Sequence, residues 1–360
     1  MRPDRLFIAG VGAYLPPLAD CADAVREGLC AEETHREGGW LSAAVAGDES
    51  PVAMAVKAGA VALERSGIRP AEVDFLCYAW ATSQGPHMWL PQYYVERHLV
   101  GRDIPAIGIQ QGCVGMWTGV ELGACLLQVP GREAVIVAGG ENRSVDPVRG
   151  VDPAFRWRYA HGARTNRASI FGDCGVAMVL SRRSGFARVL SITSRSLSEF
   201  EEVYRGGEPL FPPEVGTGRP VRMGERVKAF ADEHPERAPG LLRLLNEART
   251  ATAREALREA QTEPGDVKRV LHVHAGSEQY VEHILDPLGI GAERGMLEFG
   301  RRVGHLSLGD QVASLEHLMT TGQIGVGDRV LVIANGIGVA LASAVLEIVE
   351  WPEWAGSELG

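Results

Sequence analysis

The chain of 360 residues lacks the features of a secreted, membrane or zinc-finger protein. Its six cysteines include no C-x-x-C pair, which argues against both a disulfide framework and a cysteine zinc site. No apolar run is long enough to cross a bilayer, and the opening segment, MRPDRLFIAG, lacks the pattern of a signal peptide. We therefore predict a cytoplasmic protein that does not bind a membrane.

Basic residues are outnumbered by acidic residues, 36 to 46, which gives a formal net charge of −10 at pH 7. An acidic balance disfavours nucleic acid as a partner. Arginines nevertheless gather in one region, at Arg143, Arg149, Arg156, Arg158, Arg164 and Arg167. We interpret this region as a solvated loop or a subunit contact in preference to an anion-binding surface.

Apolar segments of the first half alternate between strand-like and helix-like patterns. Strands are predicted at Leu6–Val11, Phe75–Trp80, Ile104–Ile109 and Ala134–Ala138, and helices at Pro51–Ser66, Met88–Leu99 and from Cys113 onward. This alternation predicts an α/β protein with a mostly parallel sheet covered on both faces. The Gly-x-Gly after the first strand is not a dinucleotide fingerprint, because two prolines follow where a helix would have to begin.

The second half of the chain repeats the order of the first. A shift of about 190 residues brings a helix, a strand, the Cys113 helix and a final strand into register with second-half counterparts. We predict an internal duplication with a pseudo-two-fold axis and halves at 1–184 and 185–360, in which His305 lies opposite Cys113. Residues 199–239, rich in proline, glycine and charge, are predicted to form a cap over the mouth of the site.

Cys113 is the first candidate for chemistry, in the segment QQGCVGMWTGV. A helix amino terminus favours thiolate over thiol, and it binds the oxyanion that forms when a thioester is attacked. Gly112 and Gly115 leave room for a substrate to approach the backbone. The alternative is that Cys113 is a small buried residue, and spacing alone does not decide between the two.

Further candidates follow strands of the second half. In LHVHAG, alternation along a strand would put His272 and His274 on one face, at the end where ligands usually bind, although packing is an alternative role for His274. Asp310 lies soon after His305, near the start of a helix that its carboxylate could equally cap. The turn Asn335–Gly338 offers backbone N–H donors, but too little chain follows it for a dinucleotide site.

This order of cysteine, histidine, a later polar residue and a glycine turn resembles the ketoacyl synthase III family of the thiolase superfamily, over most of the chain. FGDCGVAMVL, from Phe171, is similar to the family's phenylalanine-glycine-aspartate-glycine segment. His274-Ala-Gly-Ser takes the place of the family's histidine-glutamine-alanine-asparagine motif, of which only the histidine and the general pattern are kept. The resemblance implies a thiolase-like fold of duplicated α/β/α/β/α layers, a nucleophilic Cys113 and a catalytic His274.

One departure from the family changes the expected reaction. Condensing members carry an asparagine in a glycine-asparagine-threonine motif, and this chain has His305 there, with Asp310 shortly after it. This pattern resembles a branch that transfers acyl groups to a hydroxyl or amine of a sugar or other natural product, as in antibiotic and polyketide biosynthesis. The branch implies Asp310 as the third catalytic residue, with His305 in support. A carboxylate agrees, because it orients an imidazole base but opposes the enolate of a condensation.

We therefore predict an acyltransferase that uses acyl-CoA or an acyl carrier protein as donor and a small molecule as acceptor. Cys113 carries the acyl group, His274 deprotonates the acceptor and Asp310 steadies the histidine. The N–H groups of Cys113, Ile337 and Gly338 form the oxyanion hole. No cofactor or metal is expected, and the resemblance implies a homodimer. The acyl group, the kind of donor and the acceptor stay open.

Three alternatives compete with this prediction. A condensing enzyme would use Cys113, His274 and His305 as its triad. A catalytically silent partner subunit is disfavoured by the intact cysteine. A metal hydrolase built on His272, His274 and Asp310 is disfavoured because a third ligand at helix spacing is lacking.

Overall fold

The computed structural model describes residues 1–86, 88–146, 150–151, 169–211, 223–336 and 338–357. The strands within these ranges are β1 (Phe7–Tyr14), β2 (Leu18–Asp20), β3 (Ser42–Ala44), β4 (Phe75–Trp80), β5 (Ala106–Gln110), β6 (Ala134–Glu141), β7 (Val145–Asp146), β8 (Gly150–Val151), β9 (Cys174–Ser181), β10 (Ala187–Ser196), β11 (Val267–Leu271), β12 (Arg329–Gly336) and β13 (Ala340–Ile348). The α-helices are α1 (Cys21–Arg26), α2 (Glu32–Gly38), α3 (Pro51–Ser66), α4 (Pro91–Val95), α5 (Gly115–Leu126), α6 (Glu201–Arg205), α7 (Met223–Glu233), α8 (Ala238–Glu259), α9 (Glu278–Leu285), α10 (Leu297–Val303) and α11 (Asp310–Thr320).

The large sheet has a symmetric strand order. Among the described residues its nine strands run β11-β12-β13-β10-β1-β9-β6-β4-β5. From the middle outwards, β1-β9-β6-β4 on one side is matched by β10-β13-β12-β11 on the other. The pseudo-two-fold symmetry predicted from the repeat is confirmed. The predicted boundary between residues 184 and 185 falls in the turn between β9 and β10, and it stays a prediction.

The sheet is mixed, so the expectation of a mostly parallel sheet was wrong. Of the eight strand pairs that the structure describes in it, β4–β5, β4–β6 and β11–β12 are parallel, and the other five are antiparallel. β12 and β13 are joined directly by a short turn, without the crossover that a parallel pair requires. In the pseudo-symmetric position, β9 lies antiparallel to β6.

Three buried clusters divide the molecule into layers. Ala55 and Ala58 of α3 pack on one face of the first-half strands. The central helices α5 and α11 share a second cluster with strands of both halves, to which Trp117 and Leu315 contribute. Ala253 of α8 belongs to a third cluster with the second-half strands. The order is helix, first-half strands, central helices, second-half strands and helix, with the two sets of strands joined into one sheet through β1 and β10. It confirms the predicted α/β/α/β/α layers.

Small residues allow α3 to lie very close to the sheet. The Ser50 hydroxyl accepts a hydrogen bond from the backbone N–H of Ala53 at the start of α3, and Gly67 ends the helix with φ of 65°. A Cβ added to Gly175 of β9 would lie 2.1 Å from the backbone of Met54. Glycine at position 175 is therefore required by the helix–sheet contact.

Two segments contain helices that the sequence analysis did not assign. Residues 21–48 contain α1, α2 and β3, and the carboxylate of Asp20 accepts hydrogen bonds from the backbone N–H groups of Ala22 and Asp23 in the first turn of α1. The predicted cap contains α6, α7 and the start of α8, while residues 212–222 lie outside the described residues. Its Phe200 and Phe230 pack with Val339, which follows the glycine turn. None of the helices in the described residues is long and apolar enough to cross a membrane.

Candidate active site

Cys113 lies in a tight turn between β5 and α5. The turn Gly112–Val114 is a single 3₁₀ turn, and α5 begins at Gly115. Gly112 has a φ of 60°, a conformation that glycine adopts without steric cost. The side chain of Cys113 is buried, with 7% of the residue exposed. The strand–turn–helix arrangement predicted around this thiol is therefore present.

Two side chains of the second half contact the Cys113 sulfur. His305 Nε2 lies 3.6 Å from Sγ, and Ser307 Oγ lies 3.4 Å from it. Both residues lie in the segment just before α11, and α11 is the pseudo-symmetric counterpart of α5. The site is therefore built where the amino-terminal ends of the two central helices meet.

His305 is oriented by the carboxylate of Asp310. Its Nδ1 lies 2.7 Å from Asp310 Oδ2, and its ring packs against the ring of Phe171, with the centroids 5.0 Å apart and the planes tilted by 37°. A carboxylate at this site only accepts hydrogen bonds, so we infer that Nδ1 carries a proton. Nε2 is then the atom that exchanges a proton with the sulfur.

The charges around His305 favour its imidazolium form. Burial alone would lower its pKa, but the negative charges of Asp310 and of the Cys113 thiolate outweigh burial and raise the pKa from 6.5 to about 10. A protonated imidazole beside a sulfur stabilises the thiolate, which is the nucleophilic form of cysteine. The geometry therefore places a cationic imidazole beside the Cys113 sulfur.

Asp310 is a buried hub for both histidines. Its carboxylate accepts hydrogen bonds from the backbone N–H groups of His274, at 2.9 Å, and of Leu306, at 2.7 Å, in addition to the bond from His305. Burial alone would raise its pKa, but its electrostatic interactions with His274 and His305 and the hydrogen bonds from these two residues lower the pKa from 3.8. Asp310 is therefore ionised and acts as an orienting group.

His274 lies on the far side of Asp310 from the sulfur. Its Nδ1 lies 3.0 Å from the carbonyl oxygen of Gly304, and its Nε2 lies 2.9 Å from Ser314 Oγ. Burial is the largest influence on its pKa, which is lowered from 6.5. Both ring nitrogens are thus occupied by the protein. The predicted pairing of His274 with Asp310 is present, since Nδ1 also lies 3.1 Å from Asp310 Oδ1, but the imidazole in contact with the Cys113 sulfur is that of His305.

His272 also follows the end of β11, so the predicted alternation of the two histidines along a strand was wrong. β11 ends at Leu271, before both of them. His272 Nδ1 lies 2.7 Å from the carbonyl oxygen of Val273, and Nε2 accepts a hydrogen bond from the backbone N–H of Met296. With both nitrogens bonded, His272 lacks a free atom for a metal. No cluster of His, Cys, Asp or Glu suited to a metal occurs among the described residues.

The buried His272 should make stability depend on pH. Burial lowers its pKa in the folded state from 6.5 to about 4. The unfolded chain therefore binds a proton that the folded chain refuses, and stability falls as pH drops from about 6.5 towards 4. From pH 7 to pH 5 we expect a loss of about 2 kcal/mol in the free energy of unfolding from this residue.

Denaturant unfolding of the wild type and of His272→Gln at both pH values measures this loss. The glutamine oxygen can still accept the N–H of Met296 but does not titrate. The variant should therefore lose less stability between pH 7 and pH 5 than the wild type does. An equal loss in both proteins would show that His272 is not responsible.

The glycine turn after β12 contacts the turn that carries Cys113. A Cβ added to Gly336 would lie 2.9 Å from the carbonyl oxygen of Gln111 and 3.2 Å from the backbone nitrogen of Val114. Gly338 is described and exposed, whereas Ile337 lies outside the described residues. The oxyanion hole of Cys113, Ile337 and Gly338 therefore stays a prediction.

Sequence reasoning did not identify Ser307 or Ser314 as site residues. Arg143 was noted only as part of an arginine-rich region, and its guanidinium donates a hydrogen bond to Ser307 Oγ at 3.0 Å. The other five arginines of that region lie outside the described residues. Arg143 follows the carboxyl end of β6, where functional residues of α/β sheets often lie, and that position is the signal that could have found it.

Comparisons with known proteins agree with this fold. The family described as 3-oxoacyl-[acyl-carrier-protein] synthase III, C terminal, matches residues 257–348. The beta-ketoacyl-[acyl-carrier-protein] synthase III of Clostridium beijerinckii is 22% identical, over 95% of this chain and 99% of its own. The 3-oxoacyl-[acyl-carrier-protein] synthase III of Aquifex aeolicus shares the fold, with a TM-score of 0.73, 20% identity and coverage of 95% of this chain and 99% of its own. The structure of ChlB3, described as an acyltransferase, has a TM-score of 0.88 and 34% identity, over 98% of this chain and 100% of its own.

A duplicated thiolase fold with a buried cysteine at the start of a central helix defines the class of protein. The chain belongs to the ketoacyl synthase III-like family of that fold, and it is an enzyme of this family. Within the family its identity to ChlB3, 34%, is higher than its identity to the synthases of Clostridium beijerinckii, 22%, and Aquifex aeolicus, 20%.

Proposed function

We propose that the protein is an acyltransferase that moves an acyl group from a thioester to a hydroxyl or amine of a small molecule, by way of an acyl-Cys113 intermediate. The observation that carries this proposal is the buried series of Cys113, His305 and Asp310, joined at 3.6 and 2.7 Å. The similarity to ChlB3, described as an acyltransferase, supports it. A sugar or another natural-product scaffold is the proposed acceptor.

The first half-reaction forms the acyl-enzyme. The Cys113 thiolate attacks the carbonyl carbon of the donor thioester, and the donor sulfur leaves with the electron pair of its bond to carbon. The imidazolium of His305 gives that sulfur the proton on Nε2, so the step ends with a neutral histidine and a free donor thiol. The two glycine-rich turns that meet at Cys113 are the proposed source of N–H donors for the oxyanion.

The second half-reaction needs a base, and His305 is placed to serve. Neutral Nε2 takes the proton of the acceptor's hydroxyl or amine as the new bond to the acyl carbon forms. The carbon–sulfur bond then breaks, and its electron pair returns to Cys113. The carboxylate of Asp310 stabilises the imidazolium produced, which restores the resting pair. His305 replaces His274 as our proposed base, and His274 positions Asp310.

A decarboxylating condensation is the alternative function. His305 occupies the place of the condensing asparagine, and two histidines flank the site, which favours this alternative. However, both nitrogens of His274 bond to Gly304 and Ser314, so only one imidazole faces the sulfur. A carboxylate hydrogen-bonded to that imidazole would also oppose the negative charge of an enolate.

Mass spectrometry of the intact protein tests both functions. The protein is incubated with a panel of acyl-CoA and acyl-N-acetylcysteamine thioesters, and a gain in mass that is absent from Cys113→Ala identifies the acyl group. The acyl-enzyme is then mixed with sugar, alcohol and amine acceptors. We expect acylated acceptors and no carbon dioxide from malonyl-CoA. Carbon dioxide release coupled to a carbon–carbon bond would establish the condensation instead.

The donor and the assembly remain proposals too. Coenzyme A or an acyl carrier protein would supply the acyl group, and no further cofactor or metal is proposed. The free cysteines of the described residues suit the cytoplasm, where thiols stay reduced. A homodimer is proposed because β5 lies at the end of the sheet order and Ile107, on that strand, is 41% exposed.

Disruption of the β5 edge should dissociate the proposed dimer. Ile107→Lys places a charge on β5, the end strand of the sheet as the structure describes it, and we expect light scattering to give twice the monomer mass for the wild type and the monomer mass for the variant. Val326→Lys, at an exposed apolar residue outside the strands, is the matched control and should stay dimeric. A monomeric wild type would contradict the proposal.

A further inference from the structure

Arg143 and Ser307 form a polar relay to the nucleophile. Arg143 Nη2 lies 3.0 Å from Ser307 Oγ, which lies 3.4 Å from Cys113 Sγ. All three residues are buried. A guanidinium can only donate hydrogen bonds, so Ser307 accepts from Arg143, and its own hydroxyl proton is free to point at the sulfur.

The local backbone makes Ser307 an unusual place for a serine. Its φ is 60°, in the left-handed region that glycine adopts without cost and that other residues seldom adopt. Packing alone would therefore be served equally well by glycine. The hydroxyl is what serine adds at this position, and it lies between a buried cation and a reacting atom.

The surroundings of Arg143 hold its guanidinium in place. It stacks on the ring of Phe171 with its central carbon 4.4 Å from the ring centroid, and its Nε lies 3.6 Å from Glu141 Oε2. The backbone N–H of Arg143 donates to Asp173 at 2.7 Å. Glu141 in turn accepts from the hydroxyl of Thr82 at 2.6 Å, which holds its carboxylate in place. The positive end of the relay is fixed.

We propose that the Ser307 hydroxyl, polarised by Arg143, donates a hydrogen bond to the Cys113 sulfur whenever that sulfur is negative. This inference rests on the proposed covalent role of Cys113. The sulfur is an anion before it attacks the donor and again when the carbon–sulfur bond breaks and the electron pair returns to it. Ser307 is thereby a catalytic residue, because it contacts the reacting atom, and Arg143 is a positioning residue that acts through it. The same hydrogen bond aids the attack by a thiolate and its departure as a leaving group.

Alkylation by iodoacetamide tests the relay without any acyl donor. The rate is followed by mass spectrometry on the peptide that contains Cys113, and the exposed Cys125 of the same protein serves as an internal reference. In Ser307→Gly the hydroxyl is lost while the backbone conformation is favoured. We expect alkylation of Cys113 at pH 7 to slow about tenfold, as for the loss of one charge-assisted hydrogen bond. The rate at Cys125 and the melting temperature should not fall.

Two further variants separate chemistry from structure. Ser191→Ala removes another buried hydroxyl, one that donates to the carbonyl oxygen of Ala256, and it should leave the Cys113 rate unchanged. Arg143→Met should slow the alkylation of Cys113 about as much as Ser307→Gly does. Because Arg143 acts only through Ser307, the two effects should not add, and the rate of the double variant should stay within about twofold of that of Ser307→Gly.

The results of these experiments test the relay independently of the proposed acyltransferase function. An unchanged rate at Cys113 in Ser307→Gly, or an additive loss in the double variant, overturns it. So does a slower rate accompanied by a lower melting temperature, which would assign Ser307 a structural role. If Arg143→Met fails to fold, Ser307→Gly alone decides. Slower alkylation in a protein that transfers no acyl group would leave the relay in place and remove the acyltransferase proposal.

Discussion

His305→Asn should slow formation of the acyl-enzyme by about a thousandfold, the scale of a general acid–base group. The asparagine amide can still donate to Asp310 from the place of Nδ1, but no atom replaces the Nε2 that lies 3.6 Å from Cys113 Sγ. The sulfur then lacks its cationic partner, and the departing donor thiol lacks its proton. Single-turnover acylation, followed by mass spectrometry, measures the effect with whichever thioester acylates the wild type fastest.

His274→Asn is the matched control, since it makes the same substitution at the other histidine. The amide can still donate towards Gly304 in place of Nδ1, and the bond to Ser314 is lost. We expect a loss of no more than about tenfold, through a less rigid Asp310. The opposite ranking of the two variants would restore His274 as the base, which is the assignment that the family resemblance implies.

The internal duplication was predictable because both halves carry the same order of strand and helix signals. The repeated signals identified β11 as the counterpart of β4 and β12 as the counterpart of β6, without any knowledge of the packing. The direction of the strands was harder to predict. Whether two strands are parallel depends on the connection between them, and the short link from β12 to β13 leaves no room for a crossover helix.

The site was only partly predictable for a related reason. The sequence drew attention to Cys113, His305 and Asp310, because each follows a strand or begins a helix. It did not reveal which histidine faces the sulfur, since β11 ends one residue before His272 and the chain leaves the strand there. A serine at positive φ leaves no mark in a single sequence, so the contact between Ser307 and Cys113 required the folded chain.

Asp310→Asn should have the largest effect of any single substitution after loss of the cysteine. The carboxylate of Asp310 accepts a hydrogen bond from His305 Nδ1 and so keeps the ring proton on that nitrogen. The asparagine NH2 group could instead donate to Nδ1, and the ring proton would then move to Nε2. The neutral imidazole would then be unable to accept the acceptor's proton. We expect transfer to fall by about ten-thousandfold, the loss associated with a triad carboxylate replaced by its amide.

The pH dependence distinguishes this cause from simple damage to the fold. Because the charge of Asp310 helps to raise the pKa of His305 to about 10, its removal should lower that pKa and shift the alkylation of Cys113 to higher pH. Asp74→Asn is the matched control, since Asp74 accepts two backbone N–H groups, from Glu133 and Ala134, but contacts no histidine. It should change neither transfer nor the alkylation profile. If Asp310→Asn kept the wild-type profile and rate, the carboxylate would be a helix-terminal residue with no part in the chemistry.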